Sequence, residues 1–145
     1  MSRPPLLQAL IGGDRRSIGE AAPFVEPVLA APERFSEIVA GLDDPDPVVR
    51  IRAADVAEKV SRARPDWLGP HKAVLLGLMS TARDKEVRWH LAQTAPRLPL
   101  EAGERRVCFA LLFAWIDDPS RIVAAAALSA LAELADAKRA CGEKS

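Results

Sequence analysis

The residues able to do chemistry are few. Histidine occurs twice, as His71 and His90, and cysteine twice, as Cys108 and Cys141. A metal site gathers several His, Cys or carboxylate ligands at characteristic spacings, and neither histidine has a second ligand at such a spacing. His90 falls on a stretch of helical period and reads as a helix-surface residue or a contact between neighbouring helices. The cysteines stand 33 residues apart and form no metal or redox motif. Cys108 lies inside an apolar run, where a reduced, buried thiol is expected. The carboxylate pairs Asp43-Asp44 and Asp117-Asp118 both precede helical stretches, where aspartate ordinarily caps free N–H groups and complements the helix dipole. Gly12-Gly13 is a turn without the remainder of a phosphate loop. The expectation is a chain with no catalytic residues, no metal ligands and no cofactor.

Composition narrows the class further. The 145 residues are 49% apolar and 28% charged, ordinary values for one folded domain with its own core. Lysine plus arginine equals aspartate plus glutamate, 20 against 20, which speaks against nucleic acid or an anionic membrane as partner. Charge is nonetheless uneven. Residues 46–83 hold seven basic and four acidic side chains, and residues 1–45 hold four and seven. No apolar run approaches the roughly 20 residues of a membrane span, and the start offers no convincing signal peptide. With no disulfide framework either, a cytoplasmic location is expected.

Chemistry having given so little, the elements that position the side chains carry the argument. Asp43-Asp44-Pro45-Asp46-Pro47-Val48-Val49-Arg50 aligns without a gap over Asp117-Asp118-Pro119-Ser120-Arg121-Ile122-Val123-Ala124, and Ala82–Arg88 falls between them. The anchor valines Val49, Val87 and Val123 are spaced by 38 and then 36 residues. After each anchor, apolar residues recur at one-sided helical period, as in Val49, Ala53, Val56, Ala57 and Val60. Each of the first two copies is followed by a second apolar helix, predicted over Trp67–Ala82 and Glu101–Ile116. Upstream, Ser17–Leu29 and Pro32–Leu42 read as a degenerate hairpin, shortened or kinked by Pro23 and Pro27.

The pattern Asp44-Pro45 … Val49-Arg50 … Ala53-Ala54 resembles HEAT repeats, including the kind named after phycobilisome lyases. The resemblance implies an all-α fold, a right-handed α-solenoid of about three and a half helical hairpins. The chain then reads as one domain, 1–145, with a degenerate hairpin at 14–42, repeats at 43–82 and 83–116, a half repeat at 117–137 and a frayed tail at 138–145. It also implies an aspartate–arginine ladder between repeats, to which Asp44, Arg50, Arg88 and Asp118 belong. That ladder looks partial, because Ala82 and Ala124 stand where an aspartate and an arginine are wanted.

A solenoid of this kind implies a non-enzymatic interaction or scaffold module with a protein partner. The partner would sit on a concave face lined by the second helices, offering His71, Lys72, Arg105 and Arg106, or at the C-terminal apolar end. That end is the run Val107–Ile116, ten apolar residues in succession and including Phe109 and Phe113. A helix apolar all round should be buried all round. Capping by the last helix would achieve that, whereas an exposed face would allow a homodimer. Trp89 lies about 200° around its helix from Val87, an exposed or inter-repeat position, whereas Trp67 and Trp115 fall on apolar faces. The alternative is a nucleic-acid-binding protein, similar in architecture to the HEAT-like alkylpurine DNA glycosylases. Its motive is the central cluster Arg50, Arg52, Arg62, Arg64, Lys72, Arg83 and Arg88.

Overall fold

A computed structural model describes residues 5–10 and 23–143, and the described residues are all-helical, without a strand. The elements are α1 (Pro5–Ala9), α2 (Val25–Ala30), α3 (Arg34–Gly41), α4 (Pro47–Ala63), α5 (Lys72–Thr81), α6 (Lys85–Thr94), α7 (Ala102–Trp115) and α8 (Arg121–Glu143). Two 3-10 segments, Pro65–His71 and Ala95–Arg97, follow α4 and α6.

Local chemistry explains the boundaries. Asp46, in extended backbone, caps α4 by accepting the Val48 N–H at 2.9 Å, and Pro47 occupies the first helical position, where no N–H is needed. α7 opens with a capping box: the Glu101 side chain accepts an N–H of the first turn, and the Glu104 side chain accepts the Glu101 N–H. The helix expected over Trp67–Ala82 is divided. Pro70 disfavours helical backbone before it, so the segment runs as a 3-10 turn until α5 begins at Lys72. At the other end α8 extends to Glu143, through most of the stretch expected to fray. Its alanines and leucines have high helix propensity, and only Gly142 opposes it. Of the degenerate hairpin, Val25–Ala30 and Arg34–Gly41 are helical; residues 11–22 lie outside the described set.

The helices pack in two rows. α4 lies along α6 and α6 along α8, and these contacts are the most extensive in the molecule. The other row holds α3, α5 and α7, with α3 on α4, α7 on α8, and only a short contact of α5 with α7. The 3-10 segment fills the place beside α4, where Trp67 and His71 pack on Phe35 at ring-centroid distances of 6.0 and 5.5 Å. Small residues let the helix axes approach. Ala53, Ala54, Ala57, Ala92, Ala95, Ala127 and Ala130 are all buried. Gly41 is needed in its place, since a Cβ there would lie 3.0 Å from the Ala53 Cβ and 2.7 Å from the Leu7 Cδ2.

Burial does not follow composition. α4 is covered nearly all round, with Val49, residues 51–58, Val60 and Ser61 buried, among them Arg52, Asp55 and Glu58. α7, for which capping by the last helix and an exposed face were both open, keeps an exposed face. Cys108, Leu112 and Trp115 face the interior, while Val107 and Phe113 are 52% and 68% exposed. α8 packs on one side of α7 and leaves the opposite side to solvent.

Candidate functional site

Three arrangements of polar and apolar side chains emerge from this packing. The first is a pair of arginine staples between neighbouring helices. Arg50 Nε donates to Asp84 Oδ2 at 2.7 Å, while its Nη1 donates to the carbonyls of Asp44 and Pro45 at 2.9 and 3.1 Å. On α6, Arg88 Nε donates in the same way to Asp118 Oδ2 at 2.9 Å and its Nη1 to the Arg83 carbonyl at 2.7 Å. Each arginine thereby ties the turn before its own helix to the turn before the next helix of that row, α6 for Arg50 and α8 for Arg88. The sequence alignment missed Asp84, because it sits two positions beyond Ala82, where the aspartate was sought. Asp44 instead accepts the Asp46 N–H at 2.9 Å. Burial pushes the Asp118 carboxyl up, but the bonds from Arg88 and the Ser120 N–H outweigh it and hold the group below the usual aspartate range.

The second is a polar seam buried between α4 and α6. Glu58, its side chain 1% exposed, accepts Arg62 Nε and Nη2, both at 2.6 Å, and Arg97 Nη1 at 2.8 Å. Arg97 Nη1 also donates to Ser61 Oγ at 2.8 Å. Burial raises the Glu58 carboxyl, yet the two guanidiniums bring it below its ordinary value. Asp55, equally buried, is paired with Lys59. His90 is 4% exposed, so of the two places expected for it, a helix surface or a contact between neighbouring helices, it takes the second. Its Nδ1 lies 3.1 Å from Gln93 Oε1, and its Nε2, 3.8 Å from Asp55 Oδ1, has no hydrogen-bond partner. Burial pushes its pKa below the ordinary histidine value, so the ring is neutral at pH 7.

Above this seam lies the third arrangement, a groove of about 400 Å³ across α4, α6 and α8. Trp89 and Ile122 stand toward one end, Arg62, Arg97 and Glu133 toward the other, and Ala125, Ala126, Ser129 and Ala130 line it between them. The Trp89 indole stacks on the His90 ring at 4.3 Å, so a buried neighbour fixes its pose. Of the residues expected to meet a protein partner, only Trp89 lines this groove, joined by Arg62 of the central basic cluster. The contributions of Gln93, Arg97 and α8 were missed. The available signal was the stripe Ile122, Ala125/Ala126, Ser129, Glu133, which runs at helical spacing along α8 beside its buried Val123, Ala127, Ala130 and Leu134.

The remaining predicted residues lie elsewhere and do not converge. His71 is half-buried edge-on to Phe35, and burial lowers its pKa. Lys72 bridges α5 to α7, its Nζ 2.9 Å from Glu104 Oε1 and 3.3 Å from the Pro99 carbonyl. Arg105, Arg106 and Phe109 line a separate recess of about 450 Å³ on α7, near exposed Phe113. Cys108 is fully buried, and desolvation pushes its thiol up to about 11, far from nucleophilic at neutral pH. The central basic cluster is largely engaged internally. Besides the staples, Arg62 meets Glu58, Arg64 meets Asp66 and stacks on Trp67, Lys72 meets Glu104, and buried Arg52 donates to the Leu10 carbonyl. Among the described residues no three His, Cys, Asp or Glu side chains gather as metal ligands would, and no helix is long and apolar enough to cross a membrane. Compared with protein-family models, with curated proteins and with solved structures, the chain finds no match.

Proposed function

We propose that this chain is a short right-handed solenoid of HEAT-like hairpins acting as a non-enzymatic binding module, and that its groove receives a segment of a protein partner. The row α4, α6, α8 packs more closely than the row α3, α5, α7. In a curved stack the closer row is the inner one, which favours the first row as the concave side rather than the row of His71, Lys72, Arg105 and Arg106. The observation that carries the reading is the groove itself. A tryptophan held by stacking and a half-solvated isoleucine face a floor of small residues, with fixed guanidiniums and a glutamate at the far end. Recognition sites combine an apolar anchor position with a few oriented polar groups in this way. A segment presenting one apolar side chain toward Trp89 and hydrogen-bonding groups toward Gln93 and Ser129 fits it.

Engagement of both histidines and Cys108 in packing supports the non-enzymatic part of the proposal. The same internal pairing of the arginines weakens the nucleic-acid alternative, since cations held by carboxylates release few phosphate counterions. Selection from a phage-displayed peptide library tests the proposal. Clones that bind the wild type and are lost on Trp89→Ala and on Ser129→Trp, which fills the groove from an exposed position, support it. Clones that bind both variants as well as wild type place recognition elsewhere. Duplex binding in a gel shift that weakens steeply with salt would restore the nucleic-acid reading instead.

A further inference from the structure

The exposed side of α7 has a pattern that the groove does not use. Arg106, Ala110, Phe113 and Asp117 are all exposed and follow one another at intervals of four, three and four residues, so they form one stripe along the helix and the turn that closes it. Phe113, at 68% exposure, is the most exposed of the large apolar side chains. Neither Arg106 nor Asp117 has an ion-pair partner among the described residues, so both charges are available to a second molecule.

We infer that a second copy of this chain docks on α7, antiparallel and about a twofold axis that passes midway along the stripe. Three features select this occupant. The stripe is its own complement on reversal. Arg106 and Ala110 stand as far before its midpoint as Asp117 and Phe113 stand after it, so a reversed copy brings Asp117 to Arg106 and Phe113 to the small Ala110, twice over, as a twofold interface requires. Along the stripe itself the charges run against the helix dipole, with Arg106 nearer the positive N-terminal end, behind Glu101 and Glu104 of the capping box, and Asp117 at the negative C-terminal end. An antiparallel neighbour sets each beside the opposite end of its partner. Finally, the recess lined by Ala102, Arg105, Arg106 and Phe109 lies at the level where the second copy's Asp117 arrives, about 16 Å along the helix from the first copy's Asp117.

Sedimentation equilibrium of the full chain, from about 5 to about 500 µM at low salt, tests the inference, because Kd values in that range suit a small, part-polar interface. The wild type is expected to dimerise. R106E and D117R each place like charges together at both ends of the interface and should weaken association at least about tenfold. Mixing the two variants in equal amounts should restore a dimer, since Glu then faces Arg at one contact and Asp faces Arg at the other. F113S should dissociate the dimer as well. All three positions are exposed, so unchanged helical circular dichroism verifies that the variants remain folded. A wild type monomeric throughout the range overturns the inference. So does a dimer unmoved by the single reversals, or a mixture that stays monomeric. Since none of these positions lines the groove, loss of the dimer with peptide binding intact leaves the proposed function standing, and the reverse result leaves the dimer standing.

Discussion

Helix α4 carries Arg50, Arg52, Asp55, Glu58, Lys59 and Arg62, yet it is covered on nearly every side. Helix α7 ends in nine consecutive residues of apolar type, 107–115, yet Val107 and Phe113 lie open to solvent. The two helices invert the usual link between composition and burial, and the cause is the set of helices around each. α4 has α2, α3, α6 and the 3-10 segment around it, whereas α7 has mainly α5 and α8. Charges survive inside α4 because each is answered: Glu58 by Arg62 and Arg97, Asp55 by Lys59, Arg52 by a backbone carbonyl. Apolar residues remain outside on α7 because burial needs a neighbour, and helical period supplies only a face.

This contrast can be broken at several points, and the largest effect is expected at Glu58. Glu58→Ala removes the carboxylate that joins α4 to the end of α6 and should cost about 3–4 kcal/mol in urea unfolding, the range for breaking a buried ion pair. A loss under about 1 kcal/mol would mean that the seam tolerates an unpaired arginine and that its charges set no structure. On α7, Leu112→Ala is expected to cost about 3 kcal/mol, because the side chain is fully buried and leaves a cavity. Arg88→Ala should cost about 1 kcal/mol by the same assay, the loss of a part-buried, two-bonded pair and a carbonyl tie.

A smaller effect is expected from His90. Its folded-state pKa lies below the unfolded value of 6.5, so the unfolded chain takes up the proton first, and stability falls as pH drops from about 6.5 toward the lower, folded value. Unfolding curves from pH 7.5 to 5 should show this decline in the wild type and a flatter profile in His90→Gln. Equal slopes would trace it to other groups. Glu58 and Asp118 act in a lower window. Their pKa values are depressed on folding, so their contribution is present above the unfolded values of 4.5 and 3.8 and is lost as pH falls through the folded ones. The smallest effect belongs to Phe113→Ala, next to Leu112 in sequence. In dilute monomer it should change stability by no more than about 0.5 kcal/mol, as exposed positions do. A cost of the Leu112 kind would show that this face is covered in solution.

Much of the architecture was legible in the residues. The Asp and Pro signals before Val49 mark a helix start, the spacing of Val49, Val87 and Val123 marks three helices that pack side by side, and the alanines between them mark close helix contacts. The candidate groove was legible only at Trp89, whose angular place on its helix pointed away from the core. Its other walls come from α4, α8 and the segment after α6, and no local spacing connects Arg62, Arg97 and Ile122. Which of its two expected places His90 takes was undecided for the same reason. On its own helix it lies off the apolar stripe, and only the arrival of Asp55 from α4 encloses it.

What the sequence determined by itself, then, are the properties that depend on neighbours within a turn or two: where helices begin, where proline divides them, and which residues share a face. Tertiary structure alone decided which faces are covered and which charge meets which. Arg50 finds Asp84 across 34 residues, α4 is enclosed, and one side of α7 is left bare. Helical periodicity repeats every few residues whatever stands beside the helix, whereas burial and ion pairing are set by the elements that the stack brings alongside.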